Sequence, residues 1–152
     1  MKKIFVIIPV IASLLIFLSS CEKDKDTIKP VIELHEPAEG DTLWVGEDVH
    51  FEADFSDDNE LKAWKVDIHN DFDGHGHKSS LDDAEPWLYT HSWDFEPGLR
   101  NSHVHTHEIM VPSEVNSKPI ATGPYHVMVY CTDAAGNESW TVVKVQIATR
   151  SK

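Results

Sequence analysis

The sequence predicts an all-β fold, an antiparallel β-sandwich interrupted by one long loop rich in His, Asp and Gly. Short segments that alternate apolar and polar residues recur between residues 30 and 148, which is the period of half-buried strands. Clusters of Gly, Pro, Asp and Asn separate them, and no window shows a convincing helical period. Several short strands at this spacing are typical of a sandwich.

The predicted strands follow in order along the chain, at residues 31–34, 43–45, 49–55, 61–69, 91–95, 125–132 and 140–147. In the third strand every second residue from Val49 to Phe55 is apolar, so one face is predicted to be buried. In the fourth, Trp64, Val66 and Ile68 share a face. Turn clusters such as PAEGD and SDDNE separate the strands.

The closing hairpin carries a family resemblance. GPYHVMVYCTDAAGNES, residues 123–139, resembles the last hairpin of bacterial immunoglobulin-like domains, in which a Tyr-led strand runs into an Asp-x-x-Gly-Asn turn. The opening stretch from residues 30–34 to residues 56–59 is similar to the first two strands of those domains. The resemblance implies an immunoglobulin-like sandwich and indicates nothing about activity, because this fold hosts many functions.

The first 21 residues predict export and lipidation. MKK and the predominantly apolar run of fifteen residues at 4–18 form a secretory signal that is too short for a membrane span of about 20 residues. LSSC, residues 18–21, resembles the lipobox of bacterial lipoproteins; the alternative is an ordinary signal peptide with a Cys nearby. The resemblance implies that Cys21 is acylated, and two or three acyl chains would hold the protein on a membrane.

The predicted organisation is a signal peptide at 1–20, a lipidated Cys and tether at 21–29, a sandwich at 30–148 and a tail at 149–152. EKDKDTIK after Cys21 is charged and reads as a flexible tether. Its acidic residues, interrupted by Lys23 and Lys25, resemble the signal that sends lipoproteins to the outer face of the outer membrane. We therefore expect an outer-membrane lipoprotein of the cell envelope, with surface exposure as a further expectation.

Composition limits the partners. Residues 1–20 hold two lysines and no acid, so the remaining chain has 11 basic and 26 acidic residues and a formal charge of −15. Such a chain repels nucleic acid and favours cations, and its oligomeric state is left open. With Cys21 acylated, Cys131 has no partner for an internal disulfide, so stability must come from the core, with bound metal as a further candidate source.

Two histidine-rich segments predict a metal site. In HVHTHE, residues 103–108, neighbouring same-face histidines of a strand lie ~6.8 Å apart and the outer two roughly 13–14 Å apart, so the stripe supplies two ligands to one ion. The remaining ligands are expected from HNDFDGHGH, residues 69–77, at the start of the long loop DFDGHGHKSSLDDAEPWLYT. Loops of this length are usually functional or disordered. Either that loop folds across the sandwich or there are two sites.

The candidate ligands are His69, Asp71, Asp73, His75, His77, His103, His105 and His107. Imidazole with carboxylate suits zinc first, with Cu, Ni or Fe as alternatives. A calcium loop starting at His69 would place Gly74 correctly but has His at its first position and Ser80 at its last, so calcium is disfavoured. The remaining histidines are isolated in sequence and are interpreted as solvated or hydrogen-bonded: His35, His50, His91 and His126.

Three functions remain open. The first is a lipoprotein that captures or buffers zinc, passes it to an outer-membrane receptor, or uses it to pin the loop. The second is a glycan- or protein-binding module that uses Trp87, Tyr89 and Trp93. The third is a zinc hydrolase, since a His-x-His pair with a third His resembles the metal site of carbonic anhydrases, with Glu108 or Asp94 as base. HExxH and nucleophile-elbow motifs are lacking, so no enzyme is expected.

Taken together, the lipobox, the segments IKPVIELHEPAEGD and DAAGNES, the His-Asp-Gly loop and the His-rich strand form a recognisable combination. The chain resembles the small bacterial lipoproteins grouped as domain of unknown function 4625. That family implies no activity and no residue roles, so the metal hypothesis depends on the ligands themselves.

Overall fold

Two β-sheets pack face to face around the apolar residues that the alternation singles out. The computed structural model describes residues 25–71 and 83–150; the predicted signal peptide and Cys21, and the loop residues Asp73, His75 and His77, lie outside this part. The strands are β1 (Val31–Glu36), β2 (Thr42–Trp44), β3 (Phe51–Ser56), β4 (Leu61–Asn70), β5 (Tyr89–Asp94), β6 (Asn101–Thr106), β7 (Glu114–Val115), β8 (Lys118–Pro119), β9 (Gly123–Asp133) and β10 (Glu138–Ala148).

The strand order is that of an immunoglobulin-like sandwich. One sheet has the order β1-β3-β6 and the other β2-β10-β9-β4-β5, which matches the A-B-E and G-F-C arrangement of such domains. All pairs within these sheets are antiparallel except β2, which runs parallel to β10. The predicted sandwich is therefore confirmed, with one parallel edge pair that the sequence did not indicate.

The core lies between the inward faces of both sheets. Phe51, Ala53 and Phe55 of β3 are buried, as the alternation predicts. Trp64 of β4 stacks on Phe51, with ring centroids 5.1 Å apart, and on Trp93 of β5, at 4.0 Å. Burial of large side chains of this kind is the dominant stabilising term in folding.

Tyr125 ties the start of β9 to the segment before β5. Its buried hydroxyl donates to the carbonyl of Ala121 at 2.8 Å and accepts from the amide of Trp87 at 3.1 Å. This contact with a carbonyl four residues upstream is the arrangement called a tyrosine corner in immunoglobulin-like domains. It fixes the end of the long β4–β5 loop against the core.

One hairpin was not predicted. β7 and β8 have two residues each and are joined by Asn116 and Ser117, both with positive φ. Strands this short carry no readable alternation, and the turn needs a backbone conformation that Asn tolerates better than most residues. In the described part of the chain, no helix is long and apolar enough to span a membrane.

Candidate metal centre

The outer face of the sheet β1-β3-β6 carries most of the described histidines. Because Phe51, Ala53 and Phe55 point inward, Glu52 and Asp54 point outward. His105 lies directly opposite Glu52, and His103 lies opposite Asp54, so they share this outward face. We call the surface formed by His35, Asp48, His50, Glu52, Asp54, His103, His105 and His107 the histidine face.

Three imidazoles of the histidine face form a compact cluster. The ring centroid of His50 lies 4.8 Å from that of His105 and 4.9 Å from that of His107, and the latter two are 5.2 Å apart. One ligand nitrogen from each ring lies within 4.8 Å of the other two. All three side chains are exposed, so the cluster is open to ions from solution.

A change of register turns the chain at His107. The ladder pairs Phe51 with Thr106, but the next bridge pairs Asp48 with Met110, so the chain after β6 has one extra residue. An extra residue of this kind bends a strand and redirects a side chain. The stripe predicted at residues 103–107 is therefore a regular strand only to Thr106, and His107 lies beside His50 just beyond its end.

Asp48 orients His107. An oxygen of the Asp48 carboxylate is hydrogen-bonded to Nδ1 of His107, and this bond is the main cause that holds the pKa of Asp48 below its usual range. With Nδ1 engaged, Nε2 of His107 is the nitrogen left for another partner. Metal-ligating histidines almost always make such a bond from the other ring nitrogen, which fixes the tautomer and the ring orientation.

His103 and His35 are bound to a shared carboxylate. Asp54 contacts Nδ1 of His103 at 2.9 Å and Nε2 of His35 at 2.8 Å. His35 is the extra residue of a β-bulge in β1, between Leu34 and Glu36. These hydrogen bonds lower the pKa of Asp54, with the His35 bond as the larger cause, and the bond to Asp54 raises the pKa of His35.

The signs of these shifts define a pH window. The raised pKa of His35 contributes stability that is present at low pH and is lost as pH rises through it. The lowered pKa of Asp54 contributes stability that is lost as pH falls through it. The charged pair is therefore favoured between the two values. His103 is not among the three histidines whose ligand nitrogens converge.

Glu52 lies between the two halves of the histidine face. One of its carboxylate oxygens is 3.8 Å from Nε2 of His50, and the other is 3.8 Å from Nε2 of His103. Its charge thus sits beside the three-histidine cluster, which lowers the cost of bringing a divalent cation there.

Two candidate ligands from the segment 69–77 are described, His69 in β4 and Asp71 just after it, and they lie on the opposite side of the sandwich. His69 points outward from the five-stranded sheet, where its ring centroid is 5.5 Å from that of His126. Asp71 contacts Nζ of Lys144 at 2.6 Å and Nε2 of His126 at 3.5 Å. Lys144 is the main cause of the lowered pKa of Asp71, so a lysine already occupies this carboxylate.

The predicted ligands therefore divide between two faces. His105 and His107 come together as expected of two stripe residues, but their third neighbour is His50 and not His69 or Asp71, which lie across the hydrophobic core. Sheets of a sandwich are ~10 Å apart, so the two groups cannot share an ion as placed. His50 is isolated in the sequence, so the sequence indicates only a solvated or hydrogen-bonded histidine there, although its outward position beside Phe51 follows from the alternation of β3.

The aromatic residues of the alternative hypothesis pack against the core. Trp87 is buried, with 6% of its surface exposed, and Trp93 stacks on Trp64. Tyr89 is half-buried, and burial is the main cause that raises its pKa. As placed, they do not form a free aromatic platform.

The strand order and the packed faces define an immunoglobulin-like β-sandwich with a histidine cluster on the outer face of its smaller sheet. The chain belongs to the family described as domain of unknown function DUF4625, whose model matches residues 19–148.

Among solved structures, the chain is similar to the fibronectin(III)-like modules of CbhA from Clostridium thermocellum, with 15% identity and a TM-score of 0.44. That match covers 80% of this chain, which spans about half (48%) of the other. A search of curated proteins gives no match.

Proposed function

We propose that this protein is a cell-envelope lipoprotein that binds a divalent transition metal, zinc first, through His50, His105 and His107. The observation that carries the proposal is the convergence of three imidazoles whose ligand nitrogens lie within 4.8 Å of one another. Imidazole nitrogen is a preferred donor for zinc, and it also suits Cu, Ni and Fe.

Small side-chain rotations would complete the site. A tetrahedral zinc ion with bonds of about 2.0–2.1 Å holds its ligand nitrogens about 3.3 Å apart. All three rings are exposed, and small rotations of His50 and His105 toward Nε2 of His107, which Asp48 orients, would close the remaining distance. Three protein ligands leave a fourth position for water or for a donor from another molecule.

The exposure of the cluster favours capture or buffering of the ion. About half of the side chain of His50 (51%) and of His107 (52%) is open to solvent, so an ion bound there would exchange readily. The cluster links the residue before β3 to the end of β6, and the described candidate ligands His69 and Asp71 are not part of it. Acylation of Cys21 would place the site near a membrane, where an outer-membrane receptor is the proposed recipient.

The same exposure argues against hydrolysis at this position. A catalytic zinc ion needs a shaped cavity that excludes bulk water around the reacting group, and these rings lie on an open sheet surface. We therefore propose binding and no catalysis.

Calorimetric titration of the full-length protein in detergent with zinc tests the proposal. We expect near-stoichiometric binding at pH 7.5 and much weaker binding at pH 5.5, because protons compete for imidazoles whose ordinary pKa is about 6.5. Equal affinity at both pH values would rule out imidazole ligands, and no binding at micromolar protein would overturn the proposed function.

A further inference from the structure

We propose a second, chemically different cation site, for calcium, formed by Asp26, Asp57 and Asp58 at the other end of β3 from the three-histidine cluster. One carboxylate oxygen from each lies within 4.8 Å of the other two. Residues 50 and 57 are separated by about 23 Å along an extended strand, so this site is independent of the histidine cluster.

The carboxylates of Asp26 and Asp57 each accept local hydrogen bonds through one oxygen only. Oδ1 of Asp57 accepts from the amides of Asn59 at 2.9 Å and Glu60 at 2.7 Å, which closes the β3–β4 turn. Oδ1 of Asp26 accepts from the amide of Ile28 at 2.9 Å. The arrangement fixes both side chains and leaves the second oxygen of each unused.

Those second oxygens are buried. Oδ2 of Asp26 and Oδ2 of Asp57 are inaccessible to solvent and have no hydrogen-bond partner among the described residues. A buried anionic oxygen without a partner is costly, and two nearby carboxylates repel each other. A cation between them satisfies both oxygens at once, and Asp58, which is exposed, offers a third carboxylate from the open side.

The donor set selects a hard cation. The three side chains offer only oxygen, and calcium prefers six to eight oxygen ligands from carboxylates, carbonyls and water in flexible geometry. Magnesium requires near-ideal octahedral geometry and gives up its water reluctantly, so it fits a partly buried carboxylate pair less well. Zinc prefers the imidazoles of the other site.

Calcium at this position would fix the segment that enters the domain. Asn137, in the β9–β10 turn, donates from its amide to the carbonyl of Asp26 at 3.2 Å, and Asp133 holds Asn137 through two hydrogen bonds of 2.7 and 2.6 Å. Asp26 lies five residues after the predicted acylation site, Cys21. The ion would therefore hold the segment at Asp26 against the β3–β4 and β9–β10 turns.

The test is calcium titration of the full-length protein in detergent, by calorimetry and thermal unfolding, beside Asp57→Asn and a control, Asp94→Asn, which removes one exposed charge from β5. We expect one calcium per chain with a Kd on the order of 10⁻⁴ M, as in extracellular modules. Asp57→Asn retains the Oδ1 acceptor of the turn but should weaken binding at least tenfold, whereas Asp94→Asn should leave it unchanged.

Thermal unfolding gives a second, independent readout of the cation site. With calcium, the wild type should have a higher Tm than Asp57→Asn. Without calcium the order should reverse, because the substitution removes the repulsion. Variants that lack the histidine cluster should bind calcium normally. Equal calcium affinity in wild type and Asp57→Asn, or no effect of millimolar calcium on the wild-type Tm, would overturn the proposal.

Discussion

Replacing His50 with alanine is expected to weaken zinc binding by more than about 100-fold, as much as replacing His105 or His107. Loss of an outer partner of a metal ligand typically costs 10–100-fold in affinity, so loss of a ligand itself should cost more. The ring centroid of His50 lies 4.8 Å from that of His105 and 4.9 Å from that of His107, so its removal leaves only two imidazole ligands. Calorimetric titration at pH 7.5 measures the change.

Two further substitutions test the expected loss of zinc affinity, one with a smaller effect and one as a control. Asp48→Asn retains an oxygen near Nδ1 of His107 but removes its charge, so a loss of about 10–100-fold is expected, smaller than that of His50→Ala. His91→Ala removes an exposed histidine of β5 that lies outside the cluster, and it should leave the affinity unchanged. If His50→Ala binds zinc as His91→Ala does, the cluster is not the site.

Trp64→Ala is expected to have the largest effect on stability, about 3–5 kcal/mol of the free energy of unfolding. Trp64 is 6% exposed and its ring is stacked between Phe51 of one sheet and Trp93 of the other sheet's edge strand. Its removal leaves a cavity between the sheets that this core cannot fill without moving β3. Urea unfolding in the presence of a metal chelator measures the change.

Trp140→Ala is the matched control for this prediction. Trp140 lies on β10 and is 59% exposed, so its removal should change the free energy of unfolding by no more than about 0.5 kcal/mol. Similar losses of unfolding free energy in the two variants would mean that the stack of Phe51, Trp64 and Trp93 is not the centre of the core.

Most of the fold follows from local pattern. The period-two alternation of Phe51–Ser56 and of Gly123–Asp133 identified strands and buried faces, and the Asp-x-x-Gly-Asn turn identified the last hairpin. The parallel pairing of β2 with β10 was not predictable, because three residues joined to a distant strand carry no local signature.

The candidate site was predicted in part, for a physical reason. The stripe at residues 103–107 is a local pattern, whereas its union with His50 depends on β6 pairing beside β3, a contact between segments about 50 residues apart. The strand order alone would have predicted this meeting, since side chains alternate along β3 and Phe51 points inward, which places His50 and Glu52 on the outward face. The acidic cluster was missed for the same reason: Asp26 and Asp57 meet only in the folded chain.

The measurement that tests the central claim most directly compares the two histidine groups by zinc titration. One variant combines His105→Ala with His107→Ala on the histidine face; the other combines His69→Ala with His126→Ala on the opposite sheet. The account predicts that the first loses high-affinity zinc binding and that the second retains it with unchanged stoichiometry. Loss of binding in the second variant with retention in the first would contradict it.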